Sequence, residues 1–361
     1  MDRRLALLSL TTFALFAAVR ASGQVPAAGS PDFSIREPNG IDEQQFVRIN
    51  GVEQWVTIRG RNRANPVVLV LGGFGADGPG AVASPFLGAF QPWEPYVTVV
   101  NWDQPGAGKT YSHARGELDP HLDADMILRD ALTLTDLLRT KLHKKKIVLV
   151  GVGFGSTIAA RLAHDHPERF AAYLAAGQIA DPRVVRETAA NRQLRALAEV
   201  AGDKDALADL DLSGLHPFNE TPRDPAKLEA RRRAASRYPA RNPAHQTLDV
   251  VTAPNWGPAE AGMLVKGMSA SESKFGAAWN ANFDFAGLRG RYQVPVFVVQ
   301  GDRDIDAPLE LSRAWLAHVR APEKALVVVP GAGDHAIQTD PAPFVQILRE
   351  RIAPLAQRAE R

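Results

Sequence analysis

The residues of this chain that could do chemistry gather at strand ends. Ile147-Val148-Leu149-Val150 is an apolar run that enters Gly151-Val152-Gly153-Phe154-Gly155-Ser156, and Thr157 to Ala163 continues as a helix. Glycines four apart permit a tight strand-to-helix turn, because a β-carbon at either position would collide with neighbouring backbone. The residue at the centre of such a turn projects its side chain outward, and here that residue is Gly153. Ser156 sits three residues into the helix and is expected to point about one turn away from the mouth of the turn. Two further loops, Gly301-Asp302-Arg303-Asp304-Ile305-Asp306 and Gly331-Ala332-Gly333-Asp334-His335, each follow an apolar strand-like run. A carboxylate on one strand end and an imidazole on the next is the arrangement an oriented acid–base pair requires. Of the nine histidines, His335 is the one with that setting. The loop Gly72-Gly73-Phe74-Gly75-Ala76-Asp77-Gly78 offers closely spaced backbone N–H groups, the donors suited to a developing negative oxygen.

The elements that must hold these loops are legible as a pattern. Phe46–Asn50 and Val52–Arg59 read as a hairpin turned by Asn50-Gly51. Pro66–Leu71, Tyr96–Trp102, Ile147–Val150, Phe170–Gly177, Val294–Gly301 and Ala325–Val329 are near-continuous apolar runs, as expected of strands covered on both faces. Helical stretches lie between them: Asp123–Leu142 carries Ile127, Ala131, Leu134, Leu138 and Leu142 on one stripe, and Pro308–Val319 and Pro341–Leu355 come near the end. Alternating strands and helices predict an α/β fold with a mostly parallel sheet flanked by helices. From Asp181 to Arg291 the strand signal stops and helical segments such as Glu187–Ala201 and Pro225–Arg237 take over, which predicts an inserted helical cap. The expected division is a core over 44–180 and 292–361 with the cap at 181–291.

Bulk properties exclude several function classes. A net charge of +2 gives no extended basic surface for nucleic acid, and Lys144-Lys145-Lys146 reads as a solvated strand entry. With no cysteine there are no disulfides, thiolate metal sites or cysteine nucleophile. No His/Asp/Glu cluster has metal-ligand spacing, so neither metal nor cofactor is expected. Gly106-Ala107-Gly108-Lys109-Thr110 lacks the four-residue gap of a phosphate loop. At the N-terminus, Asp2-Arg3-Arg4, the apolar run Leu5 to Val19 and the small residues around Ala21 to Gly23 have the form of a signal peptide over 1–23. Removal of this segment, export to a bacterial periplasm or beyond, and no membrane span in the mature chain are therefore expected. Residues 24–43, rich in Pro, Gly and Ala, read as a flexible lead-in.

Four landmarks carry a resemblance to α/β-hydrolases of the proline iminopeptidase-like group over roughly Phe46 to Leu355. Leu71-Gly72-Gly73-Phe74-Gly75 stands where that group has H-G-G-P-G, and Asp103-Gln104-Pro105-Gly106-Ala107-Gly108-Lys109-Thr110 is similar to its D-Q-R-G-x-G-x-S segment. The Gly151–Gly155 frame is similar to the G-x-S-x-G nucleophile elbow, and the Asp304 and His335 loops fall at the acid and histidine positions. The resemblance implies an α/β-hydrolase fold with a helical cap. It implies a Ser-Asp-His-type site acting on N-terminal aminoacyl peptide, amide or ester bonds of a small molecule or short peptide. In that site Asp304 would hold the tautomer of His335, with Asp302 and Asp306 as competing acids. The amides of Phe154 and of Gly73 or Phe74 would form the oxyanion hole, with Asp103, Gln104 and Lys109 bracing it. Glu187 would take the substrate's amino group, with Glu260 and Glu272 behind it. The chain departs from the pattern at Leu71, Phe74 and Val152, and above all at Gly153, where the serine belongs.

That departure leaves three expectations open. The chain is an inactivated form of a serine hydrolase, a catalytically silent ligand-binding relative, or an enzyme using Asp304 and His335 as a non-covalent acid–base pair.

Overall fold

The computed structural model describes residues 33–73, 80, 83, 87–217, 220, 224–240, 258–334 and 336–361. Apolar β-branched runs form most of the central sheet. Its strands are β1 (Ile41–Ile49), β2 (Val52–Gly60), β3 (Val67–Leu71), β4 (Thr98–Trp102), β5 (Ile147–Val152), β6 (Phe170–Ala176), β8 (Val296–Gly301) and β10 (Lys324–Val329). Two short strands, β7 (Gly290–Arg291) and β9 (Val319–Arg320), pair separately. The eight-stranded order is β1-β2-β4-β3-β5-β6-β8-β10. β1 and β2, and β2 and β4, pair antiparallel; the remaining neighbours are parallel. Alternate residues of one strand feed different cores: Leu69, Leu71 and Leu149 join one cluster, Val68, Val70, Val148 and Val150 the other. This explains the unbroken apolar runs, since both faces of each inner strand are covered.

The Asn50-Gly51 turn forms with φ of +47° and +90°, as its type predicts. The hairpin is longer than the sequence suggested, because β1 starts at Ile41 rather than Phe46. Its first residues, Asp42-Glu43-Gln44-Gln45, are polar and mostly outward-facing, so no apolar run marks them. The buried Arg59 side chain ties this edge together by pairing with Asp42 and with Glu94 at 2.8 Å, and by donating to the Phe33 carbonyl. Within the segment expected as a flexible lead-in, Phe33 is buried and Ile41–Glu43 belong to β1, while Ser34 and Arg36–Asn39 are exposed.

Between β6 and β7 the described chain is helical: Arg183–Ala201, Lys204–Ser213, Pro225–Ser236, Pro258–Ser271 and Ala277–Asn282 are α-helices. This insertion stands over the carboxyl ends of the parallel strands. Ser271 Oγ donates to the Gly106 carbonyl at 2.9 Å, Gln193 Nε2 to that of Asp302 at 3.2 Å, and Arg186 Nη1 to that of Asp306 at 3.1 Å. The three lysines at the entry to β5 are not merely solvated. Their ammonium groups donate to the carbonyls of Ala64, Arg361 and Pro167, so Lys144 and Lys146 tie neighbouring loops to the strand entry and Lys145 ties the last residue to it.

Candidate active site

Sequence dictates the elbow almost atom by atom. β5 runs directly into the helix Phe154–Asp165, and the junction residue Gly153 has φ +53° and ψ −124°. A side chain in that conformation is strained at a cost of about 1–3 kcal/mol, which glycine escapes. The outer glycines are required by space. A Cβ on Gly151 would lie 2.4 Å from Ser156 Cα, and one on Gly155 would lie 1.9 Å from the Leu71 carbonyl oxygen. The elbow is therefore pressed against the end of β3.

The same contact brings the glycine loop to the elbow. A Cβ on Gly73 would fall 2.5 Å from the Phe154 amide nitrogen, so these two backbones touch. As the first residue of its helix, Phe154 has no intrahelical acceptor for its N–H. Behind the loop, Gln104 is fully buried and donates through Nε2 to the Gly72 carbonyl at 2.9 Å. Asp103 accepts from the amides of Ala83 and Lys109, both at 2.9 Å, and its carbonyl accepts from Thr110 Oγ1. Gln104 braces the glycine loop as expected, while the bonds of Asp103 run to Ala83 and within its own loop. The Lys109 ammonium lies 4.4 Å from the centre of the Trp55 ring.

Ser156 is accounted for structurally. Its buried Oγ donates to the Gly153 carbonyl at 2.6 Å and accepts from the Ile179 amide at 2.8 Å. It holds the elbow in shape and is not directed outward.

Three neighbouring aspartates on the β8 loop divide their work. Asp304 is 2% exposed; its Oδ1 accepts from the amides of Asp306 and Ala307 at 2.9 and 2.8 Å, and its Oδ2 from Gln300 Nε2 at 2.9 Å. Burial first, then the charges of Asp334 and Asp306, push its carboxyl well above the ordinary aspartate range, against the pull of the two amides. Asp302 instead accepts from the Gly331 amide at 2.7 Å and so joins the β8 loop to the β10 loop. Arg303 N–H to the Ala332 carbonyl, 2.9 Å, makes a second join. The carbonyl of Asp306 receives Arg186. Asp304 is the one of the three that is both buried and adjacent to Asp334, while His335 and Phe74 lie outside the described residues. Among the described residues no group of acids and histidines could hold a metal ion, and no helix is long and apolar enough to cross a membrane.

With the geometry in place, comparison with known proteins decides the family. The sequence matches the model of the alpha/beta hydrolase family over residues 67–347. The chain belongs to that family. This α/β-hydrolase is 24% identical over 302 residues to a protein of Bacillus subtilis named "probable aminopeptidase", a match spanning 80% of this chain and 90% of the relative. Its fold is similar to the crystal structure of a proline iminopeptidase-related protein of Thermus thermophilus, with a TM-score of 0.58 and 18% identity over 88% and 99% of the two chains. An epoxide hydrolase of Vigna radiata is also similar in fold, with a TM-score of 0.51 and 19% identity over 86% and 97%.

The cap acids fall in different places on this α/β-hydrolase. Glu187, on the helix Arg183–Ala201, is buried beside Arg186, which reaches the acid loop. Glu272 is partly exposed and 3.6 Å from Arg183. Glu260 lies on the helix Pro258–Ser271, and its side chain is outside the description. Sequence reasoning missed Arg231, an arginine 5% exposed on the helix Pro225–Ser236. Its neighbourhood of Lys227, Arg232 and Arg233 reads as an ordinary charged surface, so no local signal marks it.

Proposed function

We propose that this chain is an exported α/β-hydrolase whose site is shaped for acyl transfer from N-terminal aminoacyl amide, peptide or ester bonds, with glycine in the nucleophile's place. The observation that carries the reading is the backbone of Gly153. It holds the strained elbow conformation, φ +53° and ψ −124°, that a projecting nucleophile would need and that glycine does not. Gly151, Gly155, Ser156 and the Gly72–Gly73 loop are all fitted to that conformation.

In this reading a side-chain oxygen at residue 153 would attack the substrate carbonyl and pass its proton to His335, oriented by Asp304. The tetrahedral oxyanion would sit against the amide of Phe154 and one from Gly73 or Phe74. His335 would then return the proton to the leaving amine or alcohol, and water would repeat the sequence to release the acid. Glu187 would hold the substrate ammonium. With Gly153 the first bond cannot form, so the parent chain binds such substrates and turns them over only at the low rate that oxyanion stabilisation and binding sustain.

The test compares Gly153→Ser with the parent on aminoacyl p-nitroanilides and aminoacyl esters. A gain of at least about 10³-fold in kcat/KM is expected, the scale of a triad nucleophile's contribution. Equal rates for the two proteins would refute the reading. For export, the N-terminus of the protein recovered from a periplasmic fraction should begin within Ala21 to Gln24; recovery of an intact Met1 there refutes cleavage.

A further inference from the structure

A buried arginine in the cap has no role in the chemistry above. Arg231 lies on the buried face of the helix Pro225–Ser236 with Ala230 and Ala234. One turn along that face, Ala234 and Ala235 pack in the cluster that takes in Ile305, the residue between Asp304 and Asp306. Just past the helix, Ala240 lies against Gly333: a Cβ built on that glycine would come 2.9 Å from the alanine's. Two points of the chain around Arg231 thus touch the two loops that carry Asp304 and Asp334.

Arg231 is 5% exposed, yet its side chain forms no hydrogen bond or ion pair with another described residue. The charges of Asp306 and Glu187 support it from a distance, but burial outweighs them and pulls its pKa down to about 10. A guanidinium on so little-exposed a residue, without an acceptor among the described residues, is costly, and a chain that keeps it there is organised for an acceptor that arrives. The neighbours narrow its chemistry. Glu187 and Asp306 would repel a doubly charged anion, whereas a carboxylate is singly charged and planar, matching the fork of the guanidinium. The same acids favour an ammonium on the other end of the molecule.

We infer that Arg231 anchors the free C-terminal carboxylate of a short zwitterionic peptide, so that the pocket selects dipeptides over their C-terminal amides. This rests on the reading of an N-terminal aminoacyl substrate, and it names the substrate's other end.

The parent chain, lacking a nucleophile, allows binding to be measured without turnover. Calorimetric titration of the full chain with prolyl-alanine and with prolyl-alaninamide should give tighter binding of the free acid. In Arg231→Met the free acid should weaken by about 10- to 100-fold, the range for hydrogen bonds to a charged group, while the amide changes by less than about threefold. Arg231→Met should also melt no lower than the parent, since it removes an uncompensated buried charge. Arg231→Lys should recover part of the preference. Equal binding of the two peptides by the parent, no binding of the free acid at millimolar concentration, or equal losses for both peptides in Arg231→Met would overturn the inference. The two readings fail separately. Arg231-dependent selection without any rate gain in Gly153→Ser sinks the hydrolase proposal alone, and a rate gain without carboxylate selection sinks this inference alone.

Discussion

At residue 153 the backbone and the chemistry make opposite demands. The elbow conformation is easy for glycine and strained for any side chain, so restoring a nucleophile should cost stability even where it creates activity. Gly153→Ala is the informative control: a loss of about 1–3 kcal/mol in urea unfolding, with no gain in hydrolysis. Unchanged stability would mean that the elbow relaxes once occupied. Asp304 offers a test through pH. Its folded pKa is raised, burial being the main cause, so the folded state holds the proton more tightly than the unfolded chain. The stability this contributes is present below the unfolded value, near pH 4, and is lost as pH rises from there toward the folded value. Asp304→Asn removes that titration. The new amide faces the Gln300 Nε2 donor at every pH, so the offset is not informative, but the slope is. The stability of the variant relative to the parent should rise as pH rises above about 4. A flat difference across that range would show that Asp304 keeps an ordinary pKa.

At the scale of elements, the elbow and the end of β3 form one unit. Gly155→Ala would drive a methyl group to 1.9 Å from the Leu71 carbonyl oxygen, a backbone atom with no side-chain freedom to yield. A loss above about 4 kcal/mol is expected, measured as the shift in unfolding free energy; a loss near 1 kcal/mol would mean the strands separate easily. This level is also where the sequence was most readable. Strands β3 to β6 and β8 are covered on both faces and so announce themselves as apolar runs, and the Asn50-Gly51 turn announces its conformation. The first half of β1 does not, since Asp42 to Gln45 are polar and the strand is fixed by Arg59 reaching across from β2. Position in the site was legible where a glycine pattern fixed it, at Gly151, Gly153 and Gly155. The choice among Asp302, Asp304 and Asp306 was not, because it depends on which amides of other loops face each carboxylate. Arg231 was invisible for the same reason, its burial being created by packing from distant segments.

Over the whole molecule, the question is whether the helical insertion is a separate body or part of the same cooperative fold. The contacts favour one fold. Phe154, the residue after the elbow centre, is fully buried and meets Phe275 and Trp279 edge-on, with ring centres 5.2 and 5.0 Å away. These three rings join one core cluster with Leu69 and Leu149 of the sheet and Ile158 of the helix Phe154–Asp165. A Cβ on Gly267 would come 2.8 Å from the Gly106 carbonyl oxygen, so the helix Pro258–Ser271 is pressed onto the loop after β4. Domains that share a core in this way unfold together. Phe275→Ala removes a ring that belongs to both parts and should cost about 3–5 kcal/mol. Its unfolding followed by far-UV circular dichroism and by tryptophan fluorescence should keep a single coincident midpoint, shifted equally in both signals. Two separated transitions, with Phe275→Ala displacing only one, would establish the insertion as an independent unit with no mechanical link to the elbow.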